Sequence, residues 1–432
     1  MPFETFGLPP RRIAVIGGGI SGMAAAHLLA RDHAVTLYEA EGRLGGHART
    51  VMAGRRGDQP VDTGFIVFNK VNYPNLVALF DKLDVPVCES DMSFGASIGG
   101  GWLEYGLRNL DALFAQRRNA ASPRFLRMCR DILHFNRNAP ALAAADPALT
   151  IGGLLGRLGT SDWFRDHYIT PISGAIWSTP VQGILDFPAH ALVRFFQNHA
   201  LMSVTGQHQW FTVRGGSAQY VSRLQAELLR QGAELRLATP VAAIRREANG
   251  VFLRAHGGEW ELYDDVVLAT HSDISLRLLT APRPEERAAL SAVRYQPNSA
   301  TLHRDARVMP RSRRAWSSWV YCEPAGRRPD RIDLTYWMNS LQPIPQDDPM
   351  FVTLNSNHPI AEEMIYDQVT FHHPVYDHAA LAAQASVRSW NGRAGTWYCG
   401  AWMRDGFHED GFASAVDVAG AMAARSLQRA AA

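Results

Sequence analysis

The sequence predicts an α/β fold of two interleaved domains, and three observations carry that reading. A strand, a glycine turn and a helix follow one another from Arg12 to Leu29. Residues 265–270 form an unbroken apolar run of the kind found in buried parallel strands. Alternating β patterns and helical stretches then recur over 432 residues, a length that exceeds one compact core.

Arg12–Ile16 is a short apolar strand, Gly17, Gly19 and Gly22 make the turn, and Ile20–Leu29 has the apolar density of a helix packed on a sheet. Gly17 permits the tight turn, Gly19 lets the backbone approach a pyrophosphate, and Gly22 lets helix and strand lie close. The free amides of the helix start, at Ile20 and Ser21, face the anion. A carboxylate for a ribose hydroxyl is expected about twenty residues on. Glu39, followed by Ala40, stands there after the strand Ala34–Tyr38. Arg43-Leu44-Gly45-Gly46 then adds a second glycine turn with a basic side chain, suited to a pyrophosphate that runs on toward a flavin. The expected cofactor is therefore FAD, in a Rossmann-like domain. A second GxGxxG is absent, which argues against a stably docked nicotinamide.

Further along, residues 61–68 read as a turn entering a strand, 75–83 as a helix and 94–105 as a glycine-broken hairpin. Residues 108–205 read as mostly helical. A glycine pair at 215–216 precedes an amphipathic helix at 220–230, a strand at 233–237 and a hairpin at 252–262. The β-patterned runs 299–303, 315–321, 332–338 and 350–354 fit a sheet with one face on a cavity. A strand at 396–400 and an Ala-rich helix from Gly411 complete the pattern. The expected division is an FAD-binding domain of residues 1–70, 206–291 and 395–432 and a substrate domain of 71–205 and 292–394.

Net charge is +2, which gives no case for a nucleic-acid partner. Of 43 basic residues only Lys70 and Lys82 are lysine, leaving 43 − 2 = 41 arginines. Four scattered cysteines show no zinc-ligand spacing, and no metal ligand set or HExxH occurs. A reduced, cytoplasmic protein is expected. Residues 1–12 do not read as a signal peptide, and no charge-free run of about twenty apolar residues suggests a membrane span. Contact with the inner membrane face stays open. The stretch carrying Arg117, Arg118, Arg124, Arg127, Arg130 and Arg137 among apolar residues reads either as a core-packing helix or as one lying on an anionic bilayer.

Taken together, GGGISG, EAEGRLGGHART, VDTGFIVFN, FFQNHALM, TVRGGS and GFHEDG resemble the flavin amine oxidase and phytoene desaturase superfamily. Within it they are most similar to FAD-binding proteins that accompany cyclopropane-fatty-acid-synthase-type methyltransferases, a group that includes an acyl desaturase of furan fatty acid synthesis. The resemblance implies an amine oxidase-like mixed sheet with helices beside the FAD domain. It implies that Thr63, Gly64 and Phe65 pass near the flavin and that the Val241 backbone reads the adenine edge. It places Asp410 and Gly411 at a helix end beside the flavin ring, with Ala269, Thr270, Gly400 and Phe412 completing a non-covalent FAD site. His47 stands where many members carry a second arginine.

The activity implied is hydride removal from a methylated or unsaturated acyl chain of a phospholipid, forming a double bond, with such a methyltransferase as partner. An amine oxidase and a flavin-binding accessory subunit without turnover are the alternatives. Amine oxidases of the superfamily usually set a lysine near flavin N5. No lysine follows Lys82, and the matching segment offers His303, which either faces the flavin or is hydrogen-bonded within a sheet. Alternation puts Tyr336 and Met338 on one face and Trp337 and Asn339 on the other, so one pair is expected to line the pocket, with Tyr336 the second catalytic candidate.

Overall fold

Five short strands run parallel in the order Glu234–Arg236, Ala34–Tyr38, Arg12–Ile16, Asp265–Leu268 and Thr396–Tyr398. Both faces of this sheet are covered, which is why its strands are apolar without alternation. Ile13, Val15, Val35, Leu37 and Val267 enter one core, and Ala14, Ile16, Tyr38, Val266 and Leu268 enter the other. The structure is a computed structural model and describes residues 10–177, 181–203, 206–326 and 330–431. Residues 1–9, which carry most of the segment not read as a signal peptide, lie outside the described residues.

The helix Ile20–Leu29 leaves the first strand through the glycine turn and packs against the long helix His408–Ala431. A seven-stranded sheet holds the rest, in the order Ile365–Val375, Arg294–His303, Phe351–Leu354, Leu334–Trp337, Trp319–Cys322, Phe94–Ile98 and Leu103–Gly106. Its one parallel pair is Trp319–Cys322 beside Phe94–Ile98. The helices Pro123–Ala145, Ile151–Leu158, Thr170–Trp177 and Ala189–Asn198 fall within the stretch read as helical. A small antiparallel sheet pairs Val67–Asn69 and Val87–Ser90 with Trp210–Val213, crossing the boundaries drawn at residues 70 and 205.

Two elements were unforeseen and two local expectations are corrected. Ile365–Val375, eleven residues long, is a strand that the sequence hid, because it is an edge strand in which Asp367 and His373 interrupt the apolar face of Ile365, Val369, Phe371 and Val375, and it carries Pro374. The helix His378–Trp390, capped by Asp377 on the Ala380 amide at 2.8 Å, was also unforeseen. Its Ala380, Ala383, Val387 and Trp390 share a core with Tyr398 and Val266, so this part of 292–394 belongs with the parallel sheet. The strand over 332–338 ends at Trp337 and gives way to a helical turn, Met338–Leu341, so the alternation across 336–339 does not hold. The final helix begins at His408, three residues before Gly411, with Asp410 accepting the Phe407 amide at 2.9 Å.

Among the described residues no helix is long and apolar enough to cross a membrane, and no cluster is fit to hold a metal ion.

Candidate active site

A cavity of about 710 Å3 opens over the glycine turn and extends between the parallel and seven-stranded sheets. Gly17, Gly19, Ile20, Ser21, Glu39, Ala40, Gly45, Gly46, Thr63, Gly64, Phe65, Val241, Ala269, Thr270 and Gly400 all line it, as does Tyr336.

The glycines of the turn differ in what demands them. Gly22 supports the turn from behind, where a Cβ would lie 1.7 Å from the Gly17 carbonyl oxygen. A Cβ at Gly19 would meet no protein atom within 4 Å, and its φ of −74° suits any residue. Neither packing nor backbone therefore requires glycine at 19. The requirement lies in the space ahead of it, which fits a pyrophosphate against the helix start.

Glu39 binds the loop as well as facing the cavity. Its Oε2 accepts the Gly18 amide at 2.5 Å and its Oε1 the Glu41 amide at 2.8 Å. A carboxylate has further lone pairs for a ribose hydroxyl. Glu39→Ala is expected to weaken FAD binding by about 1.5–3 kcal/mol for each charge-assisted bond lost, roughly 10- to 150-fold for one, as measured by fluorescence titration of apoprotein.

Six of the expected cofactor residues stand outside the cavity wall. Arg43 turns to the loop's own carbonyls, at 3.0 Å from Gly46 and 3.3 Å from Ala48, and so shapes the second glycine turn. Leu44 is buried beneath Gly18, and Gly22, Gly411 and Phe412 pack behind the wall. Asp410 caps its own helix. Its neighbour Glu409 caps another, accepting the amides of Asn75 and Leu76 at 3.0 Å each at the start of Pro74–Lys82. Of the four free cysteines none lines the cavity.

The other correction concerns His303. It lies in the interior of the seven-stranded sheet, with Nε2 at 2.8 Å from the Thr353 hydroxyl and Nδ1 accepting the Asp305 amide at 3.1 Å. It does not line the cavity, so it takes the sheet-bonded alternative. Tyr336 does line it, edge-on to Trp319 at 5.3 Å, whereas Met338 is buried in the core.

A group that sequence reasoning largely missed is a set of buried imidazoles on the cavity wall. His47 stacks on Phe371 at 4.8 Å and stands 5.8 Å from His373 and 6.2 Å from His271, which stacks on Tyr295. The Nε2 of His47 is buried and has no protein partner. His373 has its tautomer dictated by a chain that starts at the backbone. The Ser299 amide donates to Asn355 Oδ1, Asn355 Nδ2 donates to Asn298 Oδ1 at 2.7 Å, and Asn298 Nδ2 donates to His373 Nδ1 at 2.8 Å. A neutral His373 must then carry its proton on Nε2. Burial holds His271 and His373 down to about 4 and His408 to about 3, and it puts His47 well below its usual value. The wall therefore offers polar nitrogens without positive charge at neutral pH.

The same burial predicts acid sensitivity. Eight histidines, 27, 47, 190, 199, 271, 303, 373 and 408, are lowered, each chiefly by burial. Four carboxyls oppose them, with Asp62 raised to about 6, Asp333 and Asp410 to about 7, and Glu409 raised, all by burial. Between pH 6.5 and 4 the unfolded chain binds protons that the folded histidines refuse, while the raised carboxyls take up theirs at higher pH when folded. The lowered histidines outnumber the raised carboxyls eight to four, and carboxyls held low, such as Glu227 and Glu286 at about 2, add to the protons that only the unfolded chain takes up near pH 4. Stability is expected to fall as pH falls through that window, by up to about 1.4 kcal/mol per pH unit for each net proton. Thermal melts from pH 7 to pH 4 check the sign.

Beyond the cradle the cavity becomes a chamber walled by Phe94, Ile172, Trp177, Phe195, Leu201 and Trp210, with Phe407 stacked on Phe195 at 4.8 Å. Its acidic residue, Asp405, is paired with Arg194 at 2.8 Å. Among the described residues, no lysine or arginine lines the cavity.

Residues 20–304 match the family described as flavin containing amine oxidoreductase. A stretch of 110 residues, 24% of this chain, is 36% identical to coproporphyrinogen III oxidase of Mycobacterium tuberculosis and covers 22% of it. The chain spans less than a quarter of the length of the curated relatives it matches. Among solved structures, it is similar to the CLA-producing fatty acid isomerase from P. acnes, with a TM-score of 0.68, 17% identity and coverage of 94% of this chain and 97% of that one. It is likewise similar to cyclohexylamine oxidase from Brevibacterium oxydans IH-35A, with a TM-score of 0.66, 17% identity and coverage of 96% and 99%. At these identities the structural likeness is one of fold.

Proposed function

This chain belongs to the flavin-containing amine oxidoreductase family, and from that premise we propose that it is a lipid-acyl desaturase. It is a flavin-dependent oxidoreductase that binds FAD. The observation that carries the finer reading is the chamber, which is aromatic and aliphatic and whose acidic residue is already paired with an arginine. A substrate ammonium finds no free carboxylate there, while an acyl chain finds matching walls. Each buried methylene contributes about 0.8 kcal/mol, so eight give roughly 6 kcal/mol before ordering costs. That recruits a chain without fixing which carbon reacts.

FAD, when bound, supplies the acceptor for a hydride leaving an activated C–H. The protein's part is to bind and orient. The glycine turn and Glu39 hold the nucleotide, the chamber excludes water and aligns the chain, and the neutral imidazoles of His47 and His373 meet a carbonyl or ester without charge. We further propose a methyl-branched or unsaturated phospholipid chain as substrate, made by a cyclopropane-synthase-type methyltransferase partner.

Anaerobic incubation with branched and unbranched phospholipids tests this, without an acceptor to follow the flavin and with an artificial electron acceptor to accumulate product. Flavin bleaching with loss of two mass units from the lipid is expected. Bleaching by simple amines alone establishes the amine oxidase instead, and bleaching by neither class leaves the accessory-subunit reading. Because no lysine lines the cavity, enzyme reduced under nitrogen is expected to reoxidise slowly in air-saturated buffer. Reoxidation at the rate of an efficient oxidase contradicts this, and electrons are then not reserved for a quinone or carrier protein.

A further inference from the structure

The helix Pro123–Ala145 has two faces of different character. Phe125, Met128, Phe135 and Ala139 are buried. Leu126, Arg130, Leu133 and Arg137 recur at i, i+4, i+7 and i+11 on the opposite side and are exposed, Leu126 to 46% and Leu133 to 57%. Two more large apolar residues point outward from the same region of the chain, Trp102 at 51% and Leu110 at 74%. Trp102 contacts Trp163, over which Arg124 lies at 5.7 Å. Residues 102–139 hold seven arginines, at 108, 117, 118, 124, 127, 130 and 137, against Glu104, Asp111 and Asp131, a net of 7 − 3 = +4 where the whole chain has +2. Glu104 and Asp131 are buried, so the outward charge is more positive still.

We propose that this face seats the protein on an anionic lipid bilayer, with Leu126 and Leu133 in the headgroup boundary and the arginine stems spread along it. The arrangement of solvent-facing Leu interleaved with Arg suits an interface that is apolar and negatively charged at once. Its position links it to the site. Phe135 on the buried face meets Phe196 at 6.4 Å, and Phe196 belongs to Ala189–Asn198, the helix that gives Phe195 to the chamber. The proposal rests on the lipid-acyl reading for its purpose, though not for its test.

Co-sedimentation of the full FAD-loaded protein with phosphatidylcholine vesicles, with and without about one third phosphatidylglycerol, is the measurement. Binding to the anionic vesicles alone, reversed by high salt, is expected. Each arginine near such a surface is worth about fivefold in partitioning, so Arg130→Gln with Arg137→Gln should lower it about 25-fold. Leu126→Ser with Leu133→Ser should lower it too, at an unchanged melting temperature, and both pairs should turn over detergent-dispersed lipid like the parent. Equal vesicle binding by parent and variants, or no binding to anionic vesicles, overturns the proposal. Vesicle binding without lipid turnover removes the desaturase reading and leaves the surface standing. Turnover in detergent without vesicle binding does the reverse.

Discussion

Gly19→Val protein is expected to fold and to purify colourless, whereas Gly22→Val protein is expected not to fold. The two glycines stand three residues apart in one motif and answer to different demands. At 19 a side chain meets no protein atom within 4 Å and the backbone is already in an ordinary conformation, so valine fills only the space meant for the pyrophosphate. At 22 the added carbon lands 1.7 Å from the Gly17 carbonyl oxygen, so strand and helix cannot both keep their places. Visible absorbance and thermal melting of the two purified variants separate the cases. A yellow, fully loaded Gly19→Val protein contradicts the reading of the cradle.

Asp62→Ala is expected to cost about 3–5 kcal/mol of stability, in the range for breaking a buried polar network. The Asp62 carboxylate is fully buried. It accepts from the Thr50 hydroxyl at 2.6 Å, the Ser217 amide at 2.9 Å, the Ser217 hydroxyl at 2.8 Å and Gln342 Nε2 at 3.0 Å. The Asp62 amide in turn donates to Gln342 Oε1 at 2.9 Å. One side chain thus joins the segment before Thr63, the start of the helix Ala218–Arg230 and the end of the turn Met338–Leu341. Alanine strands the Ser217 amide and Gln342 Nε2, while the two hydroxyls, 3.3 Å apart, retain each other. Asp62→Asn keeps the volume and sets an NH2 among donors, so an intermediate loss is expected. A melting temperature for Asp62→Ala within a degree of the parent contradicts the role.

The cofactor cradle was legible because its parts are neighbours in the chain. Strand, turn, helix and Glu39 all fall between residues 12 and 39, and the helix Ile20–Leu29 was read to the residue from its glycine start. The imidazole wall was not, since His47, His271, His373 and His408 come from four distant segments and no spacing announces them. His303 shows a different limit. Alternation says that a strand has two faces, but only Thr353 on the adjoining strand decides that this one is interior. Ile365–Val375 was hidden by its place at the sheet's edge, where polar residues and a proline are tolerated.

The parallel sheet takes its strands from residues 12–38, 234–236, 265–268 and 396–398, and Glu409 caps a helix 333 residues earlier in sequence. During synthesis the cofactor's platform therefore stays incomplete until nearly all of this chain has emerged. The Arg12–Ile16 strand can pair with Ala34–Tyr38 early, while its other edge waits for Asp265–Leu268. Pairings of such long sequence separation form slowly, because loop closure comes before the contacts that reward it. The nascent chain accordingly exposes an apolar sheet edge for most of its translation, the condition in which chaperones act and in which the FAD cavity lacks the walls that come from later segments.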